Sequence, residues 1–500
     1  MPASSLMSKG SKAVLALLLG CVSGVGATAQ TTGGAVVGAV PIPGVSQIGL
    51  AALARDAREH LRALIRLDTS NPPGRERLAA DYLKSQLDRE GIEAQLYPST
   101  GTRATLYARL RGSGAKRPLM LACHTDVVPA DRGEWTVDPF GGETENGYIY
   151  GRGAADNKSM CAAELAILIQ LKRVGAPLQR DVVFFAAADE ESGEGERHID
   201  RLIREHPELF AAQFAINEGG ITLWENGRVV EMQIQAAEKD FLDLTLIARG
   251  QSSHPAVPSA DNAVAALLRA SGRLCEARFP AEINPVARLF LERQAESAAP
   301  LLARAISDVL AAAPGEPLDR AADRLANLNP EFSVLLRDTL TPTMLEAGYK
   351  SNVVPGRARA VFNARLMPGR DPALFLSRLR GMIQDPGVEI SAAAASSAVV
   401  AAMPLEDELY RAVESSAVRF APGARVVPFM APWSTDSRQL RLQGIVTYGV
   451  AVPMSAQDGQ RVHGKDERLA LAALDWYAAY LFEVVLTVAG APAAGKAAMQ

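Results

Sequence analysis

Cysteine is scarce in this sequence of 500 residues, which contains only four. Cys21 lies in an N-terminal segment, whereas Cys123, Cys161 and Cys275 lie in apolar or helical stretches. A disulfide framework uses an even set of cysteines at regular spacings. The odd trio therefore predicts that disulfide bonds do not hold this protein together.

An excess of basic charge is also missing. Lys and Arg total 52 against 56 for Asp and Glu, so the formal net charge at pH 7 is -4. Nucleic-acid-binding proteins usually carry a surplus of positive charge, and this balance argues against a nucleic-acid partner. Gly151-Arg152-Gly153 is not followed by the Gly-Lys-Ser/Thr of a phosphate loop, and the Gly-x-Ser-x-Gly elbow of many serine hydrolases does not occur.

No internal repeat and no transmembrane run is visible, but the N-terminus has the pattern of a targeting segment. Lys9 and Lys12 precede an apolar stretch, and Ala27-Thr28-Ala29 offers a small-x-small cleavage pattern. These features predict a signal peptide over residues 1–29 and export to the periplasm or the medium. The alternative is a lipid anchor on Cys21, because Leu18-Leu19-Gly20-Cys21 resembles the lipid-attachment box of bacterial lipoproteins.

The remaining chain indicates an α/β protein. Residues 30–47 read as a flexible linker, and helical periodicity follows over 51–65 and 75–90. Continuous apolar runs at 119–123, 182–188 and 214–216 read as buried strands, and 159–173 reads as a helix between the first two. Strands that alternate with helices predict a mainly parallel sheet with helices on both faces.

Acidic and imidazole side chains follow the predicted strands. His124 comes directly after the first strand, Glu190 and Glu191 end the second, Glu218 ends the third, and Asp156 precedes the intervening helix. The carboxyl ends of strands in an open α/β sheet form the ligand crevice. One crevice could therefore collect all these side chains.

These residue types suit a centre of two divalent cations. Such a centre needs a carboxylate that bridges both ions, and we predict that Asp156 is this bridge. Each ion then takes one imidazole and one further carboxylate, which His124 with Glu218 and His463 with Glu191 would supply.

Two further acidic residues have predicted roles beside the ions. Adjacent strand residues point to opposite sides, so one member of the Glu190-Glu191 pair is free to move protons. We predict that Glu190 is the general base that takes a proton from water and delivers it to the leaving amine. Asp126, two residues beyond His124, could orient a ligand imidazole through a hydrogen bond.

The motifs that contain these residues occur in one order along the chain. They are His124-Thr125-Asp126-Val127-Val128-Pro129, the segment from Tyr150 to Lys158, Asp189-Glu190-Glu191-Ser192-Gly193, Asn217-Glu218-Gly219-Gly220 and the segment from Val462 to Glu467. This series resembles the zinc metallopeptidase family that contains aminoacylase, glutamate carboxypeptidase, acetylornithine deacetylase, succinyl-diaminopimelate desuccinylase and carboxypeptidase S. The resemblance implies two zinc ions per chain that share Asp156, with Co²⁺ or Mn²⁺ as substitutes.

The resemblance also implies a domain organisation. A discontinuous catalytic domain would cover 48–237 and 394–488, with an inserted α+β ferredoxin-like lid and dimerisation domain over 238–393 and a flexible tail over 489–500. The lid would be a four-stranded antiparallel sheet with two helices, and it offers a surface for a homodimer. The Ala-rich stretch 298–329 resembles the insertion of carboxypeptidase S-like members.

Three lid residues acquire roles from the same resemblance. His254, in Ser253-His254-Pro255, would stabilise the oxyanion that forms during hydrolysis. Asn352 and Arg365 lie in segments similar to those that contact the substrate, and Arg365 could pair with a free carboxylate.

The combined prediction is an exported metal-dependent amidohydrolase that cleaves an amide bond next to a free carboxylate, as carboxypeptidases and dipeptidases do. Its substrate would be a small peptide or an N-acyl amino acid. One alternative is an N-acyl amino-acid deacylase of the aminoacylase type, which would share the metal site and differ in pocket shape. A remote alternative is a binding protein without activity, but that reading expects a missing ligand or base, and none is missing.

Overall fold

The computed structural model describes residues 47–192, 196–257, 259–392 and 399–491. The predicted signal peptide with Cys21, the linker up to Ser46, Gly193, the predicted boundary at residue 394 and the tail from residue 492 lie outside the described residues. The chain divides into two compact units. The first extends to Ala236 and resumes at Met403–Phe429 and from Thr435 onward, and the second comprises Ala237–Ala402 with Met430–Ser434.

The strands and helices alternate along most of the chain. In chain order the strands are β1 (Glu93–Pro98), β2 (Ala104–Leu110), β3 (Leu119–His124), β4 (Thr144–Glu145), β5 (Tyr148–Tyr150), β6 (Val182–Ala187), β7 (Phe214–Asn217), β8 (Ile221–Glu225), β9 (Arg228–Glu238), β10 (Asp240–Arg249), β11 (Thr339–Ala347), β12 (Arg357–Leu366), β13 (Val388–Ala392), β14 (Arg425–Ala431), β15 (Val446–Gly449) and β16 (Arg468–Ala470). The α-helices are α1 (Gln47–Ile65), α2 (Glu76–Arg89), α3 (Lys158–Arg173), α4 (His198–Glu205), α5 (Ala263–Cys275), α6 (Pro285–Ala295), α7 (Pro300–Ala311), α8 (Glu316–Leu328), α9 (Pro330–Val334), α10 (Pro372–Ile383), α11 (Glu408–Phe420), α12 (Ser437–Leu442), α13 (Ala456–Gly459) and α14 (Leu471–Ala489).

The main sheet of the described chain has the strand order β1-β2-β6-β3-β7-β15-β9-β14, with β8 paired to β9. Its centre is parallel, because β3 pairs in parallel with β6 and β7, and β15 pairs in parallel with β7. Antiparallel pairs flank this centre, at β2 with β6 and at β15 with β9. Every residue of β3 and β6 is buried, as expected for strands covered on both faces. The predicted fold class is confirmed, and the antiparallel flanks add to it.

Helices α1, α3 and α14 pack against one another in the first unit. Helix α14 is the one described helix that is long and apolar enough to cross a membrane by length and composition. In its most apolar stretch of 18 residues, 61% is buried inside the protein. The helix also packs against α11. These contacts are those of a core helix.

One prediction concerns His60, which is buried on α1 with its Nδ1 2.8 Å from the hydroxyl of Tyr82. Burial lowers the pKa of His60 from 6.5 to about 4. Below pH 6.5 the unfolded chain therefore takes up a proton that the folded chain does not, and the free energy of unfolding falls until the pH approaches 4. From this shift the loss between pH 7 and 4.5 is about 2 kcal/mol.

Replacing His60 by Gln should remove that part of the acid sensitivity while keeping a polar partner for Tyr82. The measurement is urea unfolding at pH 7 and 4.5 for both proteins. The control variant is His206→Gln, because the side chain of His206 is 42% exposed. Equal acid sensitivity in wild type and His60→Gln would contradict the assignment.

The odd trio of cysteines does include one disulfide bond, which the sequence pattern did not predict. Cys123 at the end of β3 and Cys161 in the first turns of α3 form a disulfide bond, with their Cα atoms 5.5 Å apart. Both cysteines are buried, and Cys275 is free and exposed. The odd count misled the prediction, because the packing of α3 on β3 selects one pair from the three cysteines.

The second unit has its own antiparallel sheet in the order β11-β12-β10-β13. Helices α5 and α10 cover it through an apolar cluster that includes Leu267, Leu274, Phe375 and Leu379. This arrangement agrees with the predicted α+β inserted domain. The Ala-rich stretch 298–329 forms α7 and α8, which pack in series between α6 and α9.

Candidate metal centre

The carboxyl ends of β6, β3 and β7 lie side by side, because β3 pairs in parallel with both neighbours. His124 is the last residue of β3, and Glu218 directly follows β7. Glu190 and Glu191 lie in a single 3₁₀ turn, whereas β6 already ends at Ala187. The prediction that the two glutamates end the strand is therefore wrong, and so is the strand alternation argued from it. Asp189, with a φ of 63°, begins the turn.

The first group of candidate ligands consists of His124, Asp156 and Glu218. The Nε2 atom of His124 lies 3.1 Å from Oδ1 of Asp156 and 3.6 Å from Oε1 of Glu218. One ligand atom from each of the three residues lies within 4.8 Å of the others. His124 is buried, so this group lies on the side of the centre that is shielded from solvent.

The second group consists of Asp156, Glu191 and His463. The Nε2 atom of His463 lies 3.1 Å from Oδ2 of Asp156 and 2.8 Å from Oε1 of Glu191. Their ligand atoms also lie within 4.8 Å of one another. The side chain of His463 is 31% exposed, so solvent reaches this side of the centre.

Asp156 joins the two groups. Its Oδ1 atom faces His124 and its Oδ2 atom faces His463, each at 3.1 Å. A carboxylate between two imidazoles can give one oxygen to each of two cations. The structure thus brings together the residues that the sequence motifs singled out as ligands: His124, Asp156, Glu191, Glu218 and His463.

Hydrogen bonds among these groups shift their pKa values. Burial opposes charge on His463, yet its hydrogen bonds to Asp156 and Glu191 raise its pKa to about 11. Burial likewise opposes charge on His124, but the charge of Glu218 and hydrogen bonds to carboxylates hold its pKa well above 6.5. Burial opposes ionisation of Asp156, but hydrogen bonds from both histidines lower its pKa. Protons on the imidazoles thus balance the carboxylates.

The donor set fits divalent cations. Two imidazoles and three carboxylates are ligands that zinc and similar borderline cations accept. Burial, with the charge of Glu218 next, raises the pKa of Glu190, and burial also raises that of Glu191. Cations in this cluster would neutralise the negative charge of the crowded carboxylates. They would also replace the protons on the histidines, because a metal binds the deprotonated nitrogen of an imidazole.

Asp126 lies under the turn that carries the two glutamates. Its Oδ1 atom accepts a hydrogen bond from the amide of Glu190 at 3.1 Å, and its Oδ2 atom accepts one from the amide of Glu191 at 2.9 Å. The Nδ1 atom of His124 lies 3.1 Å from the Asp126 backbone carbonyl and 3.5 Å from its carboxylate. Asp126 therefore holds the Glu190-Glu191 backbone as well as the imidazole, and sequence reasoning foresaw only the second contact.

Asn71 and Arg103 form a chain of contacts to Asp126 that the sequence reading missed. The side-chain amide of Asn71 donates to Oδ2 of Asp126 at 3.0 Å. Arg103 in turn donates to the amide oxygen of Asn71 at 2.6 Å, and its guanidinium lies 3.6 Å from Asp189. These residues come from three distant segments, so no local motif announces the contact.

Arg197 is a further neighbour that was missed. Its Nη1 atom lies 3.8 Å from Oε1 of Glu190 and 3.1 Å from Oδ1 of Asp436. Arg197 thus brings a positive charge to the edge of the carboxylate cluster.

Asn157 contacts the first group directly. Its side-chain amide donates to Oε2 of Glu218 at 2.8 Å. An amide suits the position, because it donates to the carboxylate without adding negative charge.

The other predicted site residues belong to the second unit. His254 is exposed, and its Nδ1 accepts a hydrogen bond from the amide of Ala256 at 3.2 Å. Asn352 is also exposed, in the turn before β12. Arg365 lies on β12, where it donates to Oδ1 of Asn363 at 2.9 Å and stacks on the ring of Phe241 at 5.6 Å. Burial lowers the pKa of Arg365, and an arginine remains charged at any physiological pH.

Comparisons with known proteins agree with this architecture. The human N-fatty-acyl-amino acid synthase/hydrolase PM20D1 is 26% identical over 380 residues, which cover 74% of each chain. The succinyl-diaminopimelate desuccinylase of Methylocella silvestris is 27% identical over 427 residues, covering 83% of this chain and 94% of that protein. The M20 family metallo-carboxypeptidase Sso-CP2 from Sulfolobus solfataricus superposes with a TM-score of 0.66 at 22% identity, covering 87% of this chain and 99% of that chain.

A family model matches most of the chain. The model of peptidase family M20/M25/M40 covers residues 120–487. That range starts in β3 and ends in α14, and it includes both groups of candidate ligands. The chain therefore belongs to peptidase family M20/M25/M40.

Proposed function

We propose that this M20 protein is a hydrolase with two zinc ions that cleaves an amide bond next to a free carboxylate. The observation that carries the proposal is the position of Asp156, whose two carboxylate oxygens each lie 3.1 Å from a different histidine. His124 and Glu218 would complete one zinc position, and Glu191 and His463 the other.

Glu190 is the proposed general base. When bound, the two cations would polarise the amide carbonyl and acidify a water molecule. The Glu190 carboxylate would take a proton from that water and pass it to the departing nitrogen. Asp126 would keep Glu190 and Glu191 in place through their backbone amides.

The proposed roles of the second unit rest on the resemblance of its segments to the family. His254 would stabilise the oxyanion, and Asn352 and Arg365 would contact the substrate. The contacts of Arg365 support its role, because Asn363 and Phe241 orient a guanidinium that can bind a carboxylate with two hydrogen bonds. A carboxypeptidase or dipeptidase substrate offers that carboxylate, and a homodimer through this unit is part of the proposal.

N-acyl amino acids are the second candidate substrate class. The names of the human and Methylocella relatives favour it, since one is a fatty-acyl-amino acid synthase/hydrolase and the other a desuccinylase. Both candidate classes offer a carboxylate beside an amide bond. They differ in the group on the acyl side.

Export is proposed together with the activity. The Cys123–Cys161 disulfide supports it, because disulfides persist mainly in oxidising compartments. The sequence pattern over residues 1–29 is that of a signal peptide, with a lipid anchor at Cys21 as the alternative.

The test is a substrate panel on purified protein after metal analysis. The panel contains dipeptides and the N-acetyl, N-succinyl and long-chain N-acyl derivatives of one amino acid, each with its C-terminal amide as a matched compound. The proposal expects hydrolysis of at least one free carboxylate compound, its loss on chelation and its recovery on adding zinc. Hydrolysis that survives complete removal of metal would overturn the proposal.

Replacing Arg365 by Ala should raise KM for the free carboxylate substrate by about 10- to 100-fold, because a charge-assisted hydrogen bond to a carboxylate contributes roughly 1.5–3 kcal/mol. KM for the amidated compound should hardly change. Arg357→Ala, an exposed change on the same strand, is the control. An equal effect of Arg365→Ala on both compounds would count against the pairing.

A further inference from the structure

A buried ion pair joins the two segments that carry the shared carboxylate and the second histidine. Nη1 of Arg152 donates to Oε2 of Glu467 at 2.6 Å. The side chains of Arg152 and Glu467 are 3% and 0% exposed. Neither residue belongs to the candidate ligand groups, and a charge pair this deeply buried must be well hydrogen-bonded to be tolerated.

Glu467 contacts the backbone on which Asp156 sits. Its Oε1 atom accepts hydrogen bonds from the amides of Ala155 at 2.8 Å and Asp156 at 3.2 Å. Its own backbone carbonyl accepts a hydrogen bond from the amide of Gly151 at 2.9 Å. Glu467 therefore anchors both ends of the segment that leads into the bridging carboxylate.

Arg152 contacts the backbone beside His463. Its Nη2 atom donates to the carbonyl of Gly464 at 2.7 Å, while Nη1 is engaged by Glu467. The guanidinium also lies over the ring of Trp135, 5.3 Å from its centroid. A planar guanidinium can make these contacts at once, whereas a lysine ammonium could not reproduce the fork.

His463 needs such support because its backbone is left-handed, with a φ of 58°. Non-glycine residues adopt this conformation only when the surrounding structure holds them there. The hydrogen bond from Arg152 to Gly464 acts on the adjacent residue. The pair thus reaches Asp156 through its backbone amide and His463 through the backbone of its neighbour Gly464.

We propose that Arg152 and Glu467 are positioning residues that set the separation of Asp156 and His463 and so maintain the metal position formed by Asp156, Glu191 and His463. This inference rests on the proposed function, since it requires the metal centre. The other position takes His124 from the end of β3 and Glu218 from directly after β7, and Asp156 is the one ligand that the two positions share, so it depends less on the pair.

The test is calorimetric titration of the full-length apo protein with Zn²⁺, together with its apo melting temperature. In Glu467→Gln the amide oxygen can still accept from Ala155 and Asp156, but its NH₂ group would face the donors of Arg152. Changes to residues that orient metal ligands typically weaken metal binding 10- to 100-fold. We therefore expect one zinc equivalent to weaken by roughly that factor while the other stays near its wild-type affinity.

The control is Glu231→Gln, which breaks another ion pair of the same unit, between the buried Glu231 on β9 and Arg425 on β14. It should lower the melting temperature and leave both zinc affinities unchanged. Arg152→Lys is the second variant should Glu467→Gln not fold, and it should weaken the same single equivalent, because it keeps the charge and loses the fork.

The outcomes separate the two proposals. Wild-type protein that binds no zinc would overturn the proposed function itself. If wild-type protein binds two zinc equivalents and both variants bind them with unchanged affinity, the positioning role is overturned. It is also overturned if both equivalents weaken alike as the melting temperature falls. Either result would leave the proposed function standing.

Discussion

Replacing Glu190 by Gln should lower kcat by about 10²- to 10⁴-fold, the usual contribution of a general acid or base. The change keeps the size of the side chain and removes its capacity to carry a proton. Glu190 lies beside the ligand cluster, with one oxygen 3.8 Å from Arg197, and its backbone amide is held by Asp126. Metal content should therefore stay at the wild-type value. Steady-state kinetics and metal analysis on the same preparation measure both quantities.

The matched control is Glu208→Gln, because Glu208 is a glutamate of the same unit whose side chain is 67% exposed. It should leave kcat unchanged. Turnover of Glu190→Gln near the wild-type rate would show that another group moves the proton. A loss of metal with the loss of rate would instead assign Glu190 to the ligands, which the close grouping of His124, Glu190 and Glu191 would allow geometrically.

Replacing Asp156 by Ala should abolish hydrolysis and weaken both metal positions. Asp156 belongs to two of the three candidate ligand groups, and its two oxygens face different histidines. Zinc sites with four ligands bind with roughly 10–16 kcal/mol, so one ligand is worth about 2.5–4 kcal/mol, or roughly 10²- to 10³-fold in affinity. Titration of the apo variant with zinc measures this loss for each equivalent.

Glu218→Ala provides the comparison, since Glu218 belongs to the first group alone. It should weaken one zinc equivalent and spare the other. If Asp156→Ala behaved in the same way, with one equivalent intact, Asp156 would be an ordinary ligand of a single ion rather than a bridge.

The secondary structure near the centre could be predicted well because each element there has a strong local pattern. The apolar run predicted for 119–123 became β3 over Leu119–His124, and the helix predicted for 159–173 became α3 over Lys158–Arg173. The candidate ligands could be predicted for the same reason. His124, Asp156, Glu191, Glu218 and His463 each sit in a short motif, and the parallel order β6-β3-β7 brings three of those motifs to one edge.

Features that depend on packing between distant segments could not be predicted. Asn71 reaches Asp126 across 55 residues, and Arg152 reaches Glu467 across 315. The Cys123–Cys161 bond likewise depends on how α3 lies on β3. No spacing rule encodes such contacts, because each is set by the fold as a whole.

The path of the chain beyond the strand ends could not be predicted either. Strand alternation places Glu190 and Glu191 on opposite sides of a strand, but β6 ends at Ala187, before either residue. The chain then turns at Asp189, and the 3₁₀ turn that follows aims its backbone amides at Asp126. An apolar run identifies a strand, but it does not show the path of the polar residues that follow it.

The central claim is that Asp156 bridges two cations between His124 and His463, and anomalous X-ray diffraction at the zinc edge tests it most directly. Crystals grown with zinc should show two anomalous peaks, one on each side of Asp156 and about 3.5–4 Å apart, as in other two-metal hydrolytic sites. A single peak, or two peaks of which one does not contact Asp156, would contradict the account.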